Sequence, residues 1–271
     1  MAGRPGPGQI PAVSDPRPHS APGPDPGLAS EAVHQGRWLF RWRSWPPVLL
    51  LACVLATTAL DPVPAGGPEA RGAWLAAGLA LGLLGLLVRG WTVGLVPMGT
   101  SGRGTERLRA ETLNTRGTYS VVRHPLYLGN LLLWVGVVAT TGRPAAVLVT
   151  VLVFWILYER ITLAEERFLL EAHGEAFRAW AERTPAFLPR PGGWVPSPHP
   201  FSLRYALGRD YPALYAFVAG TTAVELVRGG ASGEGWRLST AWLAWLVAGT
   251  AVWVVLHALK KLTRALEAPD R

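Results

Sequence analysis

Residues 126–158, LYLGNLLLWVGVVATTGRPAAVLVTVLVFWILY, decide the fold, because this stretch holds a single charged residue, Arg143. Two apolar blocks, about 126–141 and 145–158, lie on either side of the Gly142-Arg143-Pro144 turn. Inside a bilayer every backbone polar group must be paired within the protein, and a helix does this for an uninterrupted apolar segment. The stretch therefore predicts two consecutive membrane helices.

Four further apolar blocks extend this prediction to the whole chain. They lie at about 46–60, 73–96, 211–226 and 241–259. Apolar residues make up 49% of the 271 residues and charged residues 16%, whereas charged residues are about a quarter of a typical soluble domain. The first block is short for a crossing of about 20 residues, but Trp42 and Trp45 can anchor it at the interface. We predict an all-α, polytopic transmembrane helical bundle of five to six spans.

The chain divides into three parts by composition. Residues 1–36 are dense in proline and glycine and predict a disordered tail, because they cannot bury enough apolar surface to offset the entropy of ordering. Residues 37–200 form the predicted membrane core, and residues 201–271 form a C-terminal pair of transmembrane helices. The single cysteine, Cys53, lies in an apolar block and is interpreted as a buried packing residue.

The net charge of +8 falls mainly in the connections between the apolar blocks. Positive residues mark the cytoplasmic side of a membrane, so both termini and the long segments 97–124 and 159–208 are predicted to face the cytoplasm. Anionic lipid head groups are the expected partners of these segments, and nucleic acid is not, because no binding motif accompanies the arginines. Arg89 and Glu225 lie near the ends of spans, where long charged side chains are expected to snorkel towards water.

One chemically distinctive element is Arg123-His124-Pro125-Leu126-Tyr127-Leu128-Gly129-Asn130, where a basic connection enters the third span. Pro125 suits the first turn of a helix, which places Arg123 and His124 at the open amino end, a favourable location for a carboxylate or phosphate. Tyr127 offers a ring that could pack on adenine, and Gly129 permits close approach. The alternative is an interfacial arginine beside a helix-starting proline.

A second element is the pair Glu165-Glu166, which follows the fourth span. Adjacent carboxylates can hold a ribose, pair with Arg123 or orient a sulfonium. The alternative is a solvated helix end at which Arg160 and Arg167 are local partners.

The two elements in this order resemble the isoprenylcysteine carboxyl methyltransferase and phospholipid methyltransferase superfamily. A following tail strengthens the likeness, which covers about residues 90–190, although His173, Phe177 and Trp180 depart from the usual aromatic pattern. The matching tail positions are Gly174, Phe177, Trp180 and Pro185-Ala186-Phe187-Leu188-Pro189. The resemblance implies S-adenosylmethionine as cofactor, cytosolic helices that form its pocket, and catalytic roles for Arg123 and Glu166. It implies a pocket lined by Arg123, His124, Pro125, Tyr127, Gly129, Glu165 and Glu166.

A narrower likeness points to a bacterial subgroup that methylates the 1-phosphate of lipid A. It rests on Thr100-Ser101-Gly102-Arg103, Leu113-Asn114-Thr115, the Arg123 to Asn130 element, Tyr158-Glu159-Arg160 and Phe201-Ser202-Leu203. A phosphate oxygen is already anionic at neutral pH, so the transfer would need alignment and exclusion of water rather than a general base. Guanidinium groups hold phosphate oxygens bidentately, which suits Arg103, Arg107 and Arg109 as substrate ligands. Membrane topology alone would also explain these arginines.

Other functions stay open. A prenylcysteine carboxylate or a phospholipid amine could be the acceptor, and an amine would require a base such as His124 or Glu166. A membrane reductase that uses NADPH, or a non-catalytic membrane protein, is the alternative from another class. No cluster of histidine, cysteine and aspartate predicts a catalytic metal. The expected location is a bacterial inner membrane, with the active site on the cytoplasmic side.

Overall fold

A computed structural model describes residues 27–97, 112–263 and 265–266. Across these ranges the secondary structure is helical, with short 3-10 turns at Pro68–Ala70, Thr118–Ser120 and Pro191–Gly193 and an isolated antiparallel bridge between Gly117 and Val195. The all-α prediction is confirmed. The helices are α1 (Leu28–Trp42), α2 (Trp45–Leu60), α3 (Arg71–Leu95), α4 (Pro125–Ala139), α5 (Pro144–His173), α6 (Glu175–Ala181), α7 (Leu203–Ala231) and α8 (Thr240–Leu262).

All six predicted apolar blocks are helical, and several of the helices fit an integral membrane protein. The α3 helix with the turn before it, α5 and α8 are each long and apolar enough to cross a membrane, and α1 with α2, bent by 73°, would add a fourth span if the pair is one. The α4 helix has 15 residues, about 22 Å at 1.5 Å per residue, which is short for a hydrocarbon core of about 30 Å. The α7 helix begins at Leu203, eight positions before the predicted start.

The α1 helix begins inside the stretch predicted to be disordered. It starts directly after Pro26-Gly27, and its Phe40 is buried in a cluster with Phe154, Tyr158 and Ile161 of α5. Residues 28–36 are therefore helical because α5 supplies a partner for α1, and the predicted end of the tail at residue 36 is wrong. Residues 1–26 of that prediction lie outside the described residues.

The outer surface of the bundle is apolar, as expected of a surface that faces lipid. Leu87 of α3, Trp155 of α5 and Val247 of α8 are all more than half exposed. Cys53 of α2 lies on the same kind of surface and is exposed, so the prediction that it is buried is wrong. A moderately apolar thiol is compatible with either environment, and the sequence did not distinguish them.

The α3 and α4 helices approach each other through glycines. A Cβ atom at Gly136 of α4 would lie 2.6 Å from the backbone nitrogen of Gly82 in α3, and one at Gly85 would lie 2.8 Å from the carbonyl oxygen of Gly129. Small residues allow such close backbone contact between membrane helices. This contact fixes the start of α4, and with it His124, against the C-terminal half of α3. That half of α3 is predicted to lie nearer the cytoplasm.

The α3 and α7 helices run antiparallel and are joined by an ion pair at each end. Arg71 pairs with Glu225, and Arg89 pairs with Asp210. The side chains of Arg89 and Glu225 are each 15% exposed, so the expectation that they snorkel to water is wrong. A charge taken out of water is costly unless a partner meets it, and α7 supplies a partner for each arginine.

Candidate active site

His124 lies between the two consecutive glutamates of α5. It is the N-cap residue of α4, which begins at Pro125 as predicted, and it is 7% exposed. Its Nε2 lies 2.8 Å from Oε1 of Glu166, and its Nδ1 lies 3.6 Å from Oε2 of Glu165. The structure therefore brings the start of the third predicted span into contact with the segment that follows the fourth.

Arg123 contacts the same carboxylate oxygen as His124. Its Nε lies 3.2 Å from Oε1 of Glu166, and both side chains are about one-fifth exposed. The angle at this contact is poor, so the buried Nε has an ionic partner but no well-directed hydrogen bond.

Tyr127 completes the cluster one turn further along α4. Its hydroxyl donates a hydrogen bond of 2.6 Å to Oε1 of Glu165. Its ring stacks beside the imidazole of His124 at 5.6 Å between centroids and meets the ring of Tyr158 edge-on at 4.7 Å. The tyrosine thus closes one side of the carboxylate pair with an aromatic face.

Gly129 contacts α3 rather than this carboxylate cluster. A Cβ atom there would lie 2.4 Å from Cγ of Arg89, so the aliphatic part of that arginine passes directly over the glycine. Close approach at Gly129 was predicted, and the group that approaches in this structure is Arg89. A role of Gly129 in binding a cofactor stays a prediction, as does that of Pro125, which is buried at the start of α4.

Residues 185–195, here named the tail segment, hold the Arg123-His124 turn by its backbone. The amide of Arg123 donates to the carbonyl of Pro185 at 2.8 Å, and the amide of His124 donates to that of Ala186 at 3.3 Å. In return, the amide of Arg190 donates to the carbonyl of Val121 at 2.9 Å. The turn is therefore fixed in place before any ligand contacts its side chains.

The short helix α6 holds residues 117–121, which lead into the Arg123-His124 turn. Trp180 Nε1 donates a 2.9 Å hydrogen bond to the carbonyl oxygen of Tyr119, and Phe177 packs edge-on against Trp180 at 5.7 Å. Phe177 and Trp180 are two of the three positions that depart from the expected aromatic pattern, and both are buried. Gly117 begins the turn with a φ of 61°, which glycine adopts without strain.

Comparison with known proteins covers this same region. Residues 74–176 match the phospholipid methyltransferase family model. The matched segment holds all but the first three residues of α3 and all of α4 and α5, and so both the Arg123-His124-Pro125 element and the Glu165-Glu166 pair. Curated relatives of the chain include proteins named as protein-S-isoprenylcysteine O-methyltransferases.

Three relatives illustrate the likeness. A cobalt-zinc-cadmium resistance protein of Cupriavidus metallidurans is 39% identical over 140 residues, which are 51% of this chain and 61% of the relative. A nickel-cobalt-cadmium resistance protein of Alcaligenes xylosoxydans xylosoxydans is 32% identical over 152 residues, 55% of this chain and 63% of the relative. Protein-S-isoprenylcysteine O-methyltransferase B of Arabidopsis thaliana is 28% identical over 115 residues, 41% of this chain and 57% of the relative.

Each alignment covers less than two thirds of the relative's length. No solved structure matches the chain at a significant level. The methyltransferase likeness therefore rests on the membrane core, and α7 and α8 lie beyond the matched segment.

Tyr119 lies near the candidate site and was not among the residues predicted from the sequence. It stands four positions before Arg123, in the turn that the tail segment and α6 enclose. Burial raises the pKa of the Tyr119 phenol well above its ordinary value, and the nearby charge of Glu165 raises it further, while Arg89 opposes the shift. The phenol therefore stays neutral at physiological pH. The sequence signal that could have identified Tyr119 is its position in the same connection as Arg123.

The predicted substrate ligands Arg103, Arg107 and Arg109 lie outside the described residues, so their role stays a prediction. Within the described ranges, no group of three or more histidine, cysteine, aspartate or glutamate side chains is arranged to hold a metal ion.

Proposed function

We propose that this protein transfers a methyl group from S-adenosylmethionine to a lipid-anchored acceptor at the cytoplasmic face of a bacterial inner membrane. The observation that carries the proposal is the contact of His124 with Glu166 at 2.8 Å, which joins two separate elements of the family-matched segment into one cluster. Relatives named as methyltransferases support the reaction class.

The charge of the cluster suits this cofactor. Glu165 and Glu166 place two carboxylates side by side in the cluster, next to Arg123 and His124, and Arg43 acts on Glu165 from nearby. S-adenosylmethionine carries a net positive charge through its sulfonium and amino acid groups, whereas NADPH carries several phosphate charges of the opposite sign. The adjacent carboxylates would attract the sulfonium and ammonium groups of S-adenosylmethionine and repel the phosphates of NADPH.

The residues present can divide the binding of this cofactor among themselves. Arg123, whose Nε lacks a well-directed hydrogen bond, is suited to the carboxylate of the amino acid portion, and Glu165 and Glu166 are suited to its cationic groups and the ribose hydroxyls. Tyr127 offers a ring face for adenine. When bound, S-adenosylmethionine supplies a methyl group whose bond to sulfur breaks as the bond to the acceptor forms, which leaves a neutral thioether.

An acceptor that is already anionic fits the cluster better than an amine does. The candidate bases His124 and Glu166 contact each other, and Glu166 also contacts Arg123, so neither is well placed to accept a further proton. We infer an oxygen acceptor, with the 1-phosphate of a lipid A-type lipid as the first choice and Arg103, Arg107 and Arg109 as its ligands. A prenylcysteine carboxylate is the second choice, and the likeness to the Arabidopsis enzyme favours it.

The test is to incubate purified protein in lipid vesicles with methyl-labelled S-adenosylmethionine and three acceptors in parallel. These are a lipid A preparation, a farnesylcysteine analogue and phosphatidylethanolamine. Arg123→Ala and Glu166→Ala are compared with Glu171→Ala, which changes an exposed carboxylate on the same helix.

We expect label in a methyl ester with the wild type and Glu171→Ala, and none with the two site variants. Label in a phosphate ester identifies the first acceptor, and label in a carboxyl ester identifies the second. Label in phosphatidylethanolamine would contradict the anionic acceptor. Absence of any label, together with absence of binding of S-adenosylhomocysteine, would contradict the methyltransferase.

A further inference from the structure

Arg89 is held by two helices at once. Its Nε donates to Oδ2 of Asp210 at 3.1 Å, its Nη2 donates to Oδ1 of the same carboxylate, and its Nη1 donates to Oδ1 of Asn130. All three guanidinium nitrogens are therefore used, two by α7 and one by α4. A bidentate guanidinium–carboxylate pair is among the strongest and most directional of protein contacts.

The contact with Arg89 orients Asn130 towards the candidate active site. Because the amide oxygen of Asn130 accepts from Arg89, its Nδ2 is the group that faces Tyr158, whose hydroxyl lies 3.4 Å away. The ring of Tyr158 meets that of Tyr127 at 4.7 Å, and Tyr127 donates to Glu165. A continuous series of contacts thus leads from Asp210 to the carboxylate pair.

The starting point of this series lies outside the family-matched segment, which ends at residue 176. The beginning of α7 is fixed close by, because the amide of Ser202 donates to the carbonyl of Gly94 at 2.9 Å and Phe201 stacks on Trp91 at 5.0 Å. The C-terminal helices therefore do more than add to the membrane bundle. They supply a buried anion to the core.

We propose that Asp210 is a positioning residue for the cofactor site, acting through Arg89, Asn130 and the Tyr158–Tyr127 pair. This inference rests on the proposed function. Without the carboxylate, the guanidinium of Arg89 is expected to turn away from Asn130, so that Asn130 and the two tyrosines no longer hold Glu165 in one orientation.

The second ion pair between the same helices gives a matched control. Arg71 and Glu225 also join α3 to α7, and Glu225 is as buried as Arg89. The 18 positions between Arg71 and Arg89 place the two pairs about 27 Å apart along α3. Glu225→Gln therefore weakens the same helix pair at a comparable site, far from the candidate active site.

The experiment compares Asp210→Asn, Asp210→Glu and Glu225→Gln with the wild type in detergent. We expect Asp210→Asn to raise the KM for S-adenosylmethionine on the order of tenfold, the size of effect that coupling through intervening residues can produce, with a smaller fall in kcat. Asp210→Glu keeps the charge and is expected to restore much of the affinity. Glu225→Gln is expected to leave KM unchanged.

Loss of one member of a buried pair can also unfold a protein, so a further variant separates stability from positioning. Arg89→Leu combined with Asp210→Leu removes both charges and is expected to recover thermal stability, because apolar replacements of a buried ion pair are often tolerated. It is not expected to recover cofactor affinity. Recovery of both would reduce Asp210 to a stabilising residue and overturn the inference.

A measurement without cofactor tests the same link if the proposed function fails. The chain has six tyrosines, so 3-fluorotyrosine labelling gives a small set of fluorine resonances that Tyr127→Phe and Tyr158→Phe assign. Asp210→Asn should move the resonances of Tyr127 and Tyr158, and Glu225→Gln should not. Unchanged resonances in Asp210→Asn would overturn the inference even if the wild type proves to be a methyltransferase.

Discussion

Nε2 of His124 lies 2.8 Å from Oε1 of Glu166, although 42 positions separate the two residues in the chain. The contact depends on two constraints of different kinds. Glycines let α3 and α4 approach closely, and the tail segment fixes the backbone of His124 through the carbonyls of Pro185 and Ala186. The side chains of the cluster are thus positioned by parts of the fold that contribute no functional group.

His124→Ala is expected to weaken binding of S-adenosylhomocysteine by about 10- to 100-fold. The imidazole contacts both glutamates, and a hydrogen bond to a charged group contributes about 1.5–3 kcal/mol. Isothermal titration in detergent measures the change. His34→Ala, at an exposed position of α1, is the control and should bind as the wild type does. Equal affinity of both variants would remove His124 from the site.

Gly129→Ala is expected to lower stability by about 1–3 kcal/mol, the usual cost of adding a methyl group to a packed interior. The added Cβ would meet Cγ of Arg89 at 2.4 Å and the carbonyl oxygen of Gly85 at 3.1 Å. Gly90→Ala adds the same atom to α3 in open space, so it should be neutral or slightly stabilising. Thermal midpoints of both variants in one detergent give the comparison, and equal midpoints would contradict the packing at Gly129.

Trp180→Phe is expected to destabilise the protein by about 1 kcal/mol and to increase hydrogen exchange in residues 117–124. The variant keeps an aromatic ring but loses the Nε1–H bond to the Tyr119 carbonyl, which is then left without that donor. Trp236→Phe changes a largely exposed tryptophan and serves as the reference. Exchange that stays the same in both variants would show that α6 does not hold the turn.

The free energy of unfolding should fall in acid because an ion pair in the loop between α7 and α8 is lost. Hydrogen bonds from Arg228, at 2.8 and 3.0 Å, lower the pKa of Glu234 from an ordinary value of 4.5 to about 2. A lowered pKa stabilises the fold above pH 4.5, and this contribution disappears as the pH falls towards 2. Because Glu234 is exposed, the pair contributes only about 0.2–1 kcal/mol.

The measurement is the thermal midpoint of the wild type and of Glu234→Gln between pH 6 and pH 2. The difference between the two proteins should be largest at pH 6 and should close in acid. A difference that stays constant across this range would show that the pair does not titrate as described.

The sequence predicted the main parts of the site because each carries a local signal. Pro125 marks a helix start, apolar blocks mark α3 to α5, and the Glu165-Glu166 pair follows one of those blocks. The Asp210–Arg89 pair has no such signal, since 121 positions separate its members and periodicity says nothing about which helices become neighbours. The α1 helix was missed for a related reason: its stability depends on α5, not on its own composition.

The backbone bonds between the Arg123-His124 turn and the tail segment also set an order of events during synthesis. The carbonyls of Pro185 and Ala186 emerge from the ribosome some sixty residues after the amides they accept from, and after both helices that carry the side chains of the cluster. Until then the amides of Arg123 and His124 lack the tail-segment carbonyls that accept from them. A nascent chain that stops before about residue 190 should therefore insert normally but lack an organised site. The capacity to bind a ligand is acquired late in synthesis, as a single step.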